Sequence, residues 1–256
     1  MLLDLESMDA TAISKLANQD CLVIRVKDFI DREHALSLGD RILTAGYDAY
    51  INAPSIGRIG MAFYEAERDP TLLERYFAQA QSNIHELRQR CKPYASPLDV
   101  LRCSLDEIWP AGAQLETLYG KKMSVGLSRV VDENIRFLAH HDIFAKDAPD
   151  SFRAHSLSAQ FACNVYLTMP EQGGHLQVWQ NELGPEEFDA LRQDSYGIEP
   201  DILGAPAVEI APEPGDLLLF NSRKMHSVTP GIQGQRLSLS CFVGYRGQQH
   251  PLTFWS

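Results

Sequence analysis

Basic residues are in short supply in this chain: 23 Lys and Arg stand against 34 Asp and Glu, for a formal net charge of −11. A nucleic-acid partner requires a basic surface that displaces counterions from phosphates, so this balance argues against one and favours a small molecule. Cysteine is sparse and scattered. The five residues Cys21, Cys91, Cys103, Cys163 and Cys241 form an odd set without Cys-x-x-Cys spacing, which excludes a zinc knuckle and a disulfide framework. They read as reduced, small core residues. No apolar run approaches the length needed to cross a bilayer. The start, Met1-Leu2-Leu3-Asp4-Leu5-Glu6, has acids where a secretory signal needs basic residues and then an apolar stretch. The expectation is a soluble, cytoplasmic protein without a membrane partner. Repeats, low-complexity tracts and linkers are also missing, so residues 1–256 are expected to form a single domain.

The two halves differ in texture. Residues 21–26 have strand composition; Asp31 then offers an N-cap for a helix running to about Ala45, with Gly46 ending it. From about Pro70 to Leu118 the periodicity is helical in two pieces, broken where Pro93 and Pro97 interrupt the chain. Leu98, Leu101, Leu105 and Ile108 give the second piece one apolar face. From Met123 onward, short strands alternate with turns, at 123–131, 135–142, 158–168, 175–180, 207–210, 216–220, 226–229 and 236–245. Eight short strands without helix-length spacers predict a double-sheet jelly roll or barrel. The segment at about 181–205, with a possible helix from Pro185 to Arg192, reads as an insertion between core strands and a candidate lid.

Chemistry concentrates in that second half. His140 and Asp142 are alternate residues at the end of a strand and so point to one side, while His141 points to the other. With His226 they supply two imidazoles and a carboxylate, the ligand set that leaves one face of a non-haem Fe(II) open. Arg236 adds a cation at which a carboxylate can dock through a two-pronged, charge-assisted hydrogen bond.

Taken together, His140-x-Asp142, His226 and Arg236-x-Ser238 resemble the signature of Fe(II)- and 2-oxoglutarate-dependent dioxygenases. Asn164-Val165-Tyr166-Leu167-Thr168, Gly173-Gly174-His175-Leu176-Gln177-Val178-Trp179 and Pro214-Gly215-Asp216-Leu217 are similar to that superfamily's segments between and around its metal motifs. The resemblance covers roughly the C-terminal half. It implies a mainly β, α+β fold: a distorted double-stranded β-helix, a cupin-like jelly roll, at 121–256, with helices and strands of 1–120 packed on one sheet. It also implies Fe(II) on His140, Asp142 and His226, and 2-oxoglutarate on Arg236 with Ser238 and Asn164, the last favoured over Tyr166 on the same strand face. O2 is the oxidant, with ascorbate as a support in vitro.

The chain is similar in particular to small bacterial oxygenases of free amino acids and related metabolites, a group that includes carrier-free aliphatic halogenases. Those halogenases carry glycine or alanine at the ligating carboxylate, so Asp142 implies hydroxylation of an aliphatic carbon, with release of succinate and CO2. Arg58, Arg129 and Trp255 are the candidates for gripping a polar substrate. Two other readings remain at this stage. One is an oxygenase of a peptidyl or carrier-bound side chain, similar to prolyl hydroxylases. The other is a non-catalytic, cupin-like metal-binding protein, which would need no Arg236. Gly173-Gly174 and Asp216 read as turn residues, Trp179 as core, His175 as no ligand, and Asp132 and Glu133 as solvated acids.

Overall fold

The computed structural model describes residues 1–49, 56–66 and 69–256. Its N-terminal part contains β1 (Leu2–Leu5), α1 (Ala10–Ala17), β2 (Val23–Val26), α2 (Arg32–Ala45), β3 (Ile56–Ile59), α3 (Pro70–Cys91), α4 (Pro97–Ile108) and β4 (Ala113–Leu115). The strands β5 (Leu127–Val131), β6 (Phe137–His140), β7 (Ala159–Thr168) and β8 (Leu176–Val178) follow. After α5 (Pro185–Arg192) come β9 (Val208–Ile210), β10 (Leu217–Asn221), β11 (His226–Val228), β12 (Arg236–Tyr245) and β13 (Leu252–Trp255).

The helix boundaries have local causes. Asp31 accepts a hydrogen bond from the His34 N–H at the start of α2, and Gly46, at φ 84°, ends it. Pro70 and Pro97 open α3 and α4 at positions where a missing N–H costs nothing. Helical structure stops at Ile108, short of the Leu118 expected from periodicity. Pro110 and Gly112, the latter at φ 71°, divert the chain, and β4 then pairs in parallel with β13.

Two sheets face one another as a double-stranded β-helix. The larger runs β1-β2-β10-β7-β12-β5-β3, with β13 also paired to β12, and the smaller runs β9-β8-β11-β6. Side chains alternate across β7 and β12. Phe161, Cys163, Val165, Leu167, Leu237, Leu239 and Val243 face outward onto Ile13, Leu16, Leu38, Ile42, Leu101 and Leu105 of α1, α2 and α4. Ala162, Tyr166 and Phe242 face inward toward Leu176, Val178, Val208 and Ile210 of the smaller sheet. Both faces are thus covered, which is why all ten residues of β12 are buried. The inner face is the one that carries polar groups. Asn164, Arg236, Ser238 and Ser240 are all buried there, and so is Arg129, paired in register opposite Ser238.

A second buried polar cluster braces the C-terminal strand. Glu116, fully buried, accepts hydrogen bonds from Arg153 (2.7 Å), Arg246 (2.7 Å) and Thr253 (2.8 Å). Burial alone would raise its pKa, but Arg246 and these hydrogen bonds outweigh burial and hold it below the usual value. Glu116→Gln leaves two guanidinium groups facing a neutral amide, and is expected to destabilise the fold by about 3 kcal/mol in urea titration at neutral pH. A folded-state pKa below the unfolded one gives stability that is present above the unfolded pKa and lost as pH falls through the folded value. The gap between wild type and Glu116→Gln should therefore close only in strong acid.

Candidate metal centre

His140 ends β6 directly opposite His226, the first residue of β11, and the two rings lie 4.2 Å apart between centroids. Asp142 follows in a loop tied to the turn before β11. Its N–H donates to the Ser222 carbonyl at 2.8 Å, and the Ser222 hydroxyl donates back to the Asp142 carbonyl at 3.2 Å. One ligand atom from each of His140, Asp142 and His226 can be chosen so that all lie within 4.8 Å of one another.

The orientation of each imidazole fixes its tautomer. His140 Nδ1 lies 2.8 Å from the Leu138 carbonyl, and His226 Nδ1 lies 2.9 Å from the Lys224 carbonyl. A carbonyl only accepts, so both Nδ1 atoms carry a proton and each ring, when neutral, keeps its lone pair on Nε2. With a neutral ring, His226 Nε2 sits 3.4 Å from Asp142 Oδ2 as an acceptor facing an acceptor. Both atoms are buried and have no hydrogen-bond partner among the described residues. Such an arrangement costs free energy by itself, and a divalent cation relieves it.

Protonation states agree with that reading. Burial, reinforced by His226, pushes His140 down to about 3 and keeps it neutral. Burial works to raise Asp142, but positive charge beside it, a proton shared with His226 or carried by His140 and the Arg129 guanidinium, outweighs burial and holds the carboxyl below the usual range. A neutral His140 and an ionised Asp142 suit a bound cation.

Deeper in the same interior, Arg236 Nη2 donates to the Tyr166 hydroxyl at 3.1 Å, and the guanidinium carbon lies 4.9 Å from the centroid of the Tyr166 ring. Arg236 Nε and the Ser238 hydroxyl, two residues apart on one strand face, are buried without a hydrogen-bond partner, and among the described residues Arg236 has no carboxylate partner. A buried guanidinium without a counterion is a binding site for an anion. Arg129 faces the same space, 6.0 Å from the centroid of Phe242, and Asn164 lines a small cavity with Arg129, Leu127 and Ala162.

The other sequence candidates lie elsewhere. Arg58 sits opposite Arg129 on β3, where its Nε donates to Glu65 at 2.8 Å and its Nη1 to the Gly60 carbonyl at 2.6 Å. Trp255 is 1% exposed, stacked on Phe144 at 4.4 Å, and belongs to the core. His141 turns away from the other two ligand candidates and packs on Phe188 of α5 at 4.3 Å. His175 is held by Glu209 at 2.9 Å. Asp132 and Glu133 do more than meet solvent: Asp132 accepts from Tyr47 and Gln235, and Glu133 from the Gly234 N–H, which pins the turn leading into Arg236. One contributor was ranked second and another missed. Tyr166, set behind Asn164 on the same face of β7, is the residue that braces Arg236. Ser222 acts through backbone groups, for which the polar turn Asn221-Ser222-Arg223-Lys224 was the sole hint.

A sequence profile of the 2OG-Fe(II) oxygenase superfamily matches residues 125–244, a span that includes His140, Asp142, His226, Arg236 and Ser238. An L-gamma-glutamyl-L-propargylglycine hydroxylase of Streptantibioticus cattleyicolor is 33% identical over 150 residues, 58% of this chain and 54% of that protein. The chain thus matches about half the length of that relative. Leucinostatins biosynthesis cluster protein S of Purpureocillium lilacinum is 28% identical over 220 residues, 79% of this chain and 86% of that protein. Among solved structures, an N-substituted L-amino acid dioxygenase of Burkholderia ambifaria in complex with alpha-KG has the same fold. Its TM-score is 0.64 at 17% identity, over 96% of this chain and 91% of that one.

Proposed function

We propose that the chain, whose residues 125–244 match the 2OG-Fe(II) oxygenase superfamily profile, is an Fe(II)- and 2-oxoglutarate-dependent hydroxylase of a free amino acid or a similar small metabolite. One observation carries the reading. His226 Nε2 and Asp142 Oδ2 lie buried 3.4 Å apart with no hydrogen-bond partner among the described residues, and a buried Arg236 with no carboxylate partner among them shares their interior. The first is a place for a cation, the second a place for a carboxylate.

In this reading His140, Asp142 and His226 hold Fe(II), and Arg236 with Ser238 holds the distal carboxylate of 2-oxoglutarate. When bound, the iron and its co-substrate supply the activation of O2, coupled to decarboxylation of 2-oxoglutarate to succinate and CO2 and to transfer of one oxygen atom to a substrate C–H. The protein's share is positional. The Leu138 and Lys224 carbonyls fix the two imidazole tautomers, and Ser222 holds the Asp142 backbone. Tyr166 fixes the Arg236 fork, and the apolar inner wall of Leu176, Val178 and Phe220 keeps water from the reacting centre. Arg129 and Asn164 complete the polar lining and are assigned to co-substrate or substrate contact.

Residues 181–205 cover the side of the site at His141. The two halves of the chain act as a single domain. The names of the S. cattleyicolor hydroxylase and the B. ambifaria dioxygenase refer to amino-acid derivatives, and this supports a substrate of that size and class. Among the described residues no helix is long and apolar enough to cross a membrane, and we assign the enzyme to the cytoplasm.

The test is a mass-spectrometric screen. Purified protein with Fe(II), ascorbate and 2-oxoglutarate is offered free amino acids, their N-substituted forms and dipeptides, in parallel with protein-tethered side chains. A small-molecule product with one added oxygen, formed with succinate, is the expected result. Turnover of tethered side chains alone would overturn the substrate class, and absence of 2-oxoglutarate binding would overturn the oxygenase reading.

A further inference from the structure

The strand that carries His140 is not regular. His226 pairs with His140 and Val228 with Phe137, so three steps along β6 oppose two along β11 and a bulge lies between. Leu138 sits in that bulge with its peptide groups freed from the ladder. Its N–H donates to the Tyr196 hydroxyl at 2.8 Å, and its carbonyl accepts the His140 Nδ1 proton at 2.8 Å. The Tyr196 ring stands edge-on to Phe137 and His140, at 5.9 and 6.4 Å between centroids. Two residues on, Ile198 and Ala139 exchange hydrogen bonds of 2.8 and 2.9 Å in an antiparallel bridge. Gly197 lies between them. A Cβ there would fall 2.8 Å from the Ala139 oxygen and 2.8 Å from the Leu138 Cβ, so a side chain would push the two segments apart.

Resting on the function proposed above, we propose that Tyr196 is a positioning residue for His140. Its hydroxyl accepts the Leu138 N–H and so holds that residue in the bulge, the Leu138 carbonyl accepts the proton on His140 Nδ1, and Nε2 is thereby aimed at the metal position. The insertion at 181–205 reaches the metal ligand through this chain of two hydrogen bonds. Outer partners of this kind fix ring orientation and ligand basicity, and their loss weakens metal binding by about 10- to 100-fold. The bulge explains why a side chain is needed here: a regular ladder would have satisfied Leu138 from β11, leaving nothing for a tyrosine to do.

Mn(II) is the probe, titrated calorimetrically into metal-free wild type, Tyr196→Phe, Arg136→Ala and His140→Ala. Tyr196→Phe keeps the ring and removes the hydroxyl; its dissociation constant should rise about tenfold, with little change in the melting temperature of the metal-free protein. Arg136→Ala breaks the ion pairs of the same segment through Glu199 (3.7 Å) and Asp201 (3.8 Å) while leaving Tyr196 untouched, and should bind Mn(II) as wild type does. The inference is overturned if Tyr196→Phe binds like wild type, or if Arg136→Ala weakens binding equally, which would mean a general loosening of the segment. If wild type binds no Mn(II), or His140→Ala binds as well as wild type, the function reading fails and takes this inference with it.

Discussion

Asp142→Ala protein, given Fe(II), 2-oxoglutarate and ascorbate, is expected to form no succinate above background and to bind Mn(II) more than about a hundredfold more weakly than wild type, since even outer-shell partners of a ligand cost 10- to 100-fold. Asp142 is the one anion among the three ligand candidates. Without it a cation meets two imidazoles and no anion, with the Arg129 guanidinium close enough to have influenced Asp142. In the metal-free protein, with a chelator present, the change in melting temperature should be small beside that loss of Mn(II) affinity, because the role of Asp142 is to hold the cation. A carboxylate with a purely structural role would show the reverse: a lower melting temperature and unchanged Mn(II) affinity.

Arg236→Ala is expected to reduce 2-oxoglutarate affinity by about 2–5 kcal/mol, the usual cost of truncating one partner of a buried, hydrogen-bonded charge pair. That corresponds to a loss of roughly thirtyfold to a few thousandfold. The structure explains why the loss should fall at the severe end: Arg236 is buried, has no carboxylate partner among the described residues, and is already oriented by Tyr166. Arg236→Lys keeps the charge but not the fork, and should recover only part of the affinity. Ser238→Ala removes a single hydroxyl, worth about 1 kcal/mol. Mn(II) binding without co-substrate should be unaffected in all three. Wild-type 2-oxoglutarate affinity in Arg236→Ala, measured by calorimetry with Mn(II) present, would remove Arg236 from the site.

The legible and illegible parts of the site differ in a physical way. His140, Asp142, His226, Arg236 and Ser238 could be read because their chemistry is carried by residue type and their convergence by strand alternation, both local properties. Tyr196 and Ser222 could not be read. Each acts on a backbone N–H or carbonyl far away in the chain, and backbone groups leave no trace in the sequence of the partner. The fold shows the same division. The ends of α2 and the break between α3 and α4 followed from Asp31, Gly46 and the two prolines. The parallel pairing of β1 with β2 and of β4 with β13 brings together segments whose contact depends on the assembled sheet. Trp255 illustrates the consequence: an aromatic near the chain's end suggests a free side chain, whereas β13 buries it between Phe144 and Phe242.

The bulge at Leu138 also constrains how this scaffold can be re-engineered. A designer seeking a new specificity would graft a foreign loop in place of 181–205, treating it as a replaceable part. Tyr196, Gly197 and Ile198 tie that segment to the edge of the smaller sheet through a single bridge and the Leu138 N–H. A graft has to keep that tripeptide in place and vary the stretch before it, around Phe188; otherwise it disturbs His140 and its partners in the candidate metal centre together with the pocket it was meant to reshape.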